Sequence, residues 1–164
     1  MTDTEKRNVP FWRSLNYVVN VHPDLEEAIE ASGFYWYPYL PERRPTNTDF
    51  PLLSFERSRV VNLTLVEFGR PIARNEAVTE LVTGGLRPAT ARELVAFGRD
   101  FPDEEEWGPI VALFQTWTNP HRQFGGTYVL GLYGSTDRRE FVRVDVRLVH
   151  DEFTRILAAP LFGE

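Results

Sequence analysis

Residues 140–149 of this 164-residue chain alternate more cleanly than any other stretch. Val142, Val144, Val146 and Leu148 fall on one side, and Arg143, Asp145 and Arg147 on the other. Successive side chains of a strand point to opposite faces, so this pattern predicts a strand with one dry face and one wet face. Such a strand needs neighbours. Ile110–Trp117 opens with five apolar residues, as a strand buried on both faces would. Residues 127–133 read as a second strand, with GSTDRR as its turn into the third. Residues 15–21 and 59–68 also read as strands. In the latter, Val61, Leu63 and Leu65 alternate with Asn62 and Thr64 before the phase flips at Val66 and Phe68. A bulge or a strand end near Leu65–Val66 would produce that flip. The late apolar segment FTRILAAPLF is predicted to pack back on the core.

Three short helices separate the strands. His22 and Pro23 lead into the first, Asp24, Glu26 and Glu27 put negative charge at its N-terminus, and Gly33 ends it. Leu25, Ala28 and Ile29 share its inner face. Asn75 is placed to cap a second helix running to about Thr83, which Gly84–Gly85 stops. Thr90 with Glu93 forms a capping box for a third, with Ala91, Leu94 and Val95 as its buried face and Pro102 beyond its end. Residues 34–53 hold four prolines, which exclude a central strand and predict an ordered loop or an edge strand. Together these cues predict a single α+β domain over residues 14–164. It has a mostly antiparallel sheet, two or three short helices, and a loose arm at 1–13.

The stretch VEFGRPIARNEAVTELVTGGLRPATARELVAFGRDFP, followed by PIVALFQTW, resembles a set of uncharacterised bacterial proteins. They share a G-x-R-P-A-T-x-x-E-L-x-A-F segment, and a late Arg-containing apolar segment corresponds to Thr154–Ala158 here. The resemblance spans about residues 60–160 and implies no activity. More distantly, Arg87, Pro88, Thr90, Glu93 and Leu94 are similar to the R-L-P-T-x-x-E-W segment of C-type-lectin-like domains, which include the formylglycine-generating enzymes. Leu94 stands where those domains carry tryptophan. The similarity implies a capped helix docked on a sheet, a mark of fold and not of activity.

Composition narrows the chemistry. The chain has no cysteine, which excludes a disulfide framework, a thiolate metal site and the cysteine chemistry of formylglycine generation. Net charge is −6, so a nucleic-acid backbone is not the expected partner. Arg43–Arg44 beside Tyr35–Tyr39 is the nearest approach to a basic, aromatic stripe. No apolar run is long enough for a membrane span, and the first residues lack the apolar core of a signal peptide, so a cytoplasmic location is expected. No glycine-rich phosphate loop, nucleophile elbow or paired histidine spacing for zinc is present, and neither a cofactor nor a metal is expected.

The remaining candidates are few. His121 and Arg122 share a loop near Trp117 and could meet an anion or act as acid and base. His150 ends the alternating strand just before Asp151, and His22 reads as a helix-start residue. The acids Asp100, Asp103, Glu104, Glu105 and Glu106 read as a solvated turn, with mimicry of a polyanion as a further option. Phe34, Tyr35, Trp36, Tyr37 and Tyr39 form the strongest aromatic run, and one side of it could be a recognition face. The favoured expectation is a non-enzymatic binding module with a protein partner, reading through Trp117, His121, Arg122, Tyr35 and Trp36. The alternative is a small hydrolase or nuclease using His121 or His150 with a carboxylate such as Asp151.

Overall fold

The computed structural model describes residues 12–37, 45–56, 59–103, 109–118, 127–134, 139–147, 149–151 and 153–161. The strands are β1 (Trp12–Asn20), β2 (Tyr35–Tyr37), β3 (Val60–Glu67), β4 (Ile72–Ala73), β5 (Leu86–Pro88), β6 (Ile110–Thr118), β7 (Thr127–Gly134), β8 (Arg139–Asp145), β9 (Val149–His150) and β10 (Arg155–Pro160). The helices are α1 (Leu25–Ser32), α2 (Arg74–Thr83) and α3 (Ala91–Asp100), with a 3-10 turn at Ser54–Glu56. The protein is α+β. Eight strands form one sheet in the order β1-β3-β10-β6-β7-β8-β2, with β5 joined to β10, and β4 pairs with β9 separately. Among the described residues only the β10–β6 and β2–β8 pairings are parallel. Among the described residues no helix is long and apolar enough to cross a membrane.

The central part of this sheet is covered on both faces, which settles the phase of several strands. Val61, Leu63 and Leu65 of β3 face a core shared with α1 and α3. Val66 faces a second core shared with Ala77 and Leu81 of α2. The expected break at Leu65–Val66 is therefore absent, and β3 continues to Glu67. The bulge lies in its partner instead, where β1 slips register between Arg13 and Asn16. β1 also begins inside the stretch expected as an arm, with Trp12 opposite Glu67 and Arg13 opposite Val66; residues 1–11 lie outside those described.

The apolar C-terminal segment does more than pack against the core. As β10 it lies between β3 and β6, with Arg155–Ala159 all buried. The meander β6-β7-β8 follows the predicted order, and Val144 and Val146 pack against the second core. β2 is an edge strand, consistent with the prolines around it.

Helix ends follow their local signals with one exception. Asp24 caps α1, its Oδ1 accepting the Glu27 N–H at 3.1 Å, and Gly33 closes the helix at φ 74°. Thr90 and Glu93 form the predicted capping box on α3. α2 starts at Arg74, one residue before the expected Asn75 cap, and Ala73 at its N-cap position makes no side-chain bond. Ala73 is fixed by its pairing with Val149, so the chain enters the helix straight from β4.

Candidate binding surface

The residues expected to read a ligand divide sharply. Trp117 is 4% exposed and lies in the core, 6.3 Å from the Phe50 ring and 6.2 Å from Tyr128. It is a packing residue, which corrects its expected contact role. A large aromatic in a strand with covered faces gains more by burial than by display. Tyr35 and Trp36 pair along the backbone with Glu140 and Phe141, and their side chains lie outside the described set. His121 and Arg122 also lie outside the described residues, as do Glu104, Glu105 and Glu106.

His150 and Asp151 do not form an acid–base pair. The His150 side chain is buried, and its Nε2 has no hydrogen-bond partner. Burial pushes its pKa below the ordinary histidine value, with Asp151 opposing weakly. Asp151 is exposed, and its Oδ1 accepts the Phe153 N–H, the Thr154 N–H and the Thr154 hydroxyl, which builds the turn into β10. His22 acts as the sequence predicts. Its Nδ1 accepts the Asp24 N–H at 2.9 Å, and its Nε2 lies 3.6 Å from Glu27, beyond hydrogen-bond reach. It borders an open cleft of about 380 Å³ formed by Asn20, Val21, His22, Pro23 and Arg99. Among the described residues no group of three His, Asp or Glu side chains could hold a metal.

The Arg-Pro-Ala-Thr segment builds the most organised polar centre. Glu93 Oε1 accepts the Thr90 N–H at 2.9 Å and Arg87 Nη1 at 2.7 Å, and Oε2 accepts Arg87 Nη2 at 2.7 Å. One carboxylate thus closes the capping box and takes a bidentate guanidinium. The same guanidinium lies 4.7 Å from the Phe55 ring centroid and 5.8 Å from that of Phe114. The two rings meet edge to face at 5.8 Å.

Phe114 reaches that position because β6 leaves β7 there. Register is lost between Ala112 and Trp117, and the Phe114 N–H bonds to the Ala89 carbonyl. Phe114 remains 37% exposed and Leu52 40% exposed. Gln115 fixes the neighbouring segment, donating to the Pro51 carbonyl while accepting the Ala91 N–H.

A second, buried centre anchors the Phe55 segment. Arg92 is 1% exposed. It donates to the Pro23 and Phe50 carbonyls at 2.8 and 2.7 Å and to Asn47 Oδ1 at 2.9 Å, with Glu56 at 3.8 Å. Burial lowers the Arg92 pKa, and the nearby Glu56 and Asp24 charges oppose that shift. Asn47 also bonds Asp24, Glu26 and the Leu25 N–H, so residues 45–56 are tied to α1 and α3 together. The hydrogen bond from Asn47 is the main cause of a lowered Asp24 pKa.

Sequence reasoning missed Phe55, Phe114 and Arg92. Arg87, Thr90 and Glu93 were visible as a motif, but nothing in residues 45–56 announced that this segment folds over it. The chain matches no known protein family, no curated protein and no solved structure.

Proposed function

We propose that this chain is a non-enzymatic protein-interaction module whose contact surface centres on Phe114, Phe55 and Leu52. The observation that carries the reading is Phe114, an aromatic side chain held partly in solvent on a displaced stretch of strand. Its neighbours hold it in place: Phe55 meets it edge to face, and Arg87 lies against both rings while locked to Glu93. Aromatic and arginine side chains in fixed positions suit protein contacts because little freedom is lost on binding. The distant likeness to C-type-lectin-like domains belongs to the same proposal, since that scaffold displays contact residues on a rigid sheet-and-helix platform.

A photo-crosslinking amino acid at position 114, in native host cells, tests the reading. We expect one discrete protein adduct that is lost when Phe55→Ser removes the neighbouring ring. The same probe at exposed position 62 gives no such adduct. Equal labelling at the two positions would sink the proposal, as would hydrolysis of ester or nucleic-acid substrates by the purified chain that His150→Ala abolishes.

A further inference from the structure

β1 ends the main sheet, and among the described residues no strand pairs with its outer edge. The Val21 N–H bonds to the Arg59 carbonyl at 3.1 Å. Main-chain groups in an antiparallel ladder alternate between partner and outside, so Tyr17, Val19 and Val21 turn theirs toward β3. Asn16, Val18 and Asn20 therefore turn theirs outward. The side chains of Asn16, Val18 and Asn20 share one sheet face, and the Val18 and Val60 side chains on it are each 57% exposed. Exposed edges of this kind recruit further strands unless something blocks them.

Among the described residues, a side chain from α3 covers one end of this edge. Arg99, at the end of α3, donates from Nη2 to the Asn20 carbonyl at 3.1 Å. Its other contacts go to the Asp100 carboxylate, so the guanidinium is held across the strand end.

We propose that the outer edge of β1 is a docking surface for a second copy of this chain, and that Arg99 is the latch that keeps it closed. The occupant follows from the strand itself. Residues 15–21, LNYVVNV, carry no charge, so two copies can approach here despite a net charge of −6 each. A two-fold axis through Val18 sets Val18 against Val18 and Asn16 of each copy against Asn20 of the other. All three positions point their main-chain groups outward, so each pair can exchange both of its hydrogen bonds. In this register like meets like: Val18 packs on Val18 and the Asn16 amide faces an Asn20 amide, whereas on its inner side β1 sets Val18 opposite Asn62 and Asn20 opposite Val60. Antiparallel addition is isologous and closes at a dimer. The latch sits on Asn20, one of the positions that must pair, so releasing Arg99 frees the whole register.

Sedimentation of the full chain over a concentration series, with hydrogen exchange at the Val18 amide, tests the assignment. Arg99→Ala should dimerise with an apparent Kd at least tenfold below that of the wild type. Val18→Lys, added to it, should restore the monomer. The Val18 amide should gain protection as the dimer forms. Folded but monomeric Arg99→Ala protein overturns the proposal, and so does an oligomer that Val18→Lys leaves intact. Capture of an extended foreign peptide on β1 without self-association overturns the choice of occupant. If Arg99→Ala fails to fold, Arg99→Met, which keeps the aliphatic stem but not the guanidinium, serves in its place: no rise in its Val18 protection with concentration overturns the proposal. These outcomes are independent of any result at Phe114.

Discussion

Single side chains in this protein do work that their residue types usually avoid. Arg92 is almost fully buried, yet its guanidinium donors reach the Pro23 and Phe50 carbonyls and the Asn47 amide oxygen. Replacing it with alanine strands those acceptors and leaves Glu56 buried without its cation. Removing one partner of a buried pair costs about 3–5 kcal/mol, a large share of a domain's stability. Arg92→Ala should therefore lower the urea midpoint strongly, and a midpoint near that of the wild type would show the network to be dispensable. His150 behaves in the opposite sense. Burial favours its neutral form, so its folded pKa lies below the ordinary value near 6.5. Its contribution to stability is complete above that value and is lost as pH falls below it. Urea denaturation at pH 7.5 and pH 5 should show a loss in the wild type that His150→Leu reduces. Neither role was legible in the sequence. Arg92 is one of many arginines, and an interior position for it becomes apparent only when residues 45–56 fold across α3.

Elements were easier to read than side-chain roles, because helix ends and strand alternation are local. The capping box on α3 shows this best: Thr90 and Glu93 bond as their spacing predicts. Thr90→Ala should cost about 0.5–2 kcal/mol, measured as a shift in the denaturation midpoint. The same helix also lies very close to the sheet. A Cβ at Gly98 would sit 2.5 Å from Phe34 Cε2 and 2.9 Å from Leu132 Cδ1. Gly98 is helical, so alanine there improves intrinsic propensity by roughly 0.5–1 kcal/mol. Overpacking of about 1–3 kcal/mol outweighs that gain. Gly98→Ala should be destabilised overall, and a stabilised variant would mean that Phe34 can move aside. Local reading failed where an element depends on a distant one. The phase flip in β3 looked like a defect because only one covered face was assumed. With α2 on the far face, Leu65 and Val66 are both core positions. The displaced part of β6 that presents Phe114 has the same origin, since its new partner is Ala89, 25 residues earlier.

At the scale of the molecule, the order of strands depends on β10, the last strand among the described residues. β10 pairs with β3 on one side and with β6 and β5 on the other, joining the N-terminal strands to the meander. The sequence marked residues 153–162 as apolar and core-bound, but an apolar run carries no record of which strands flank it. The contacts that close the sheet are therefore far apart along the chain, which predicts slow folding for a domain of this size. Truncation before Arg155 tests the dependence directly. It removes Ile156 and Leu157, each fully buried, one from each core. Losing a side chain of that kind costs about 2–5 kcal/mol. Two of them, with the hydrogen bonds of three strand pairings, approach or exceed the roughly 5–15 kcal/mol that holds a domain together. The shortened chain should show no cooperative thermal transition and collapsed amide dispersion by NMR. A cooperative melt would mean that the β1–β3 and β6–β7–β8 parts fold as separate units, with β10 joining them afterwards.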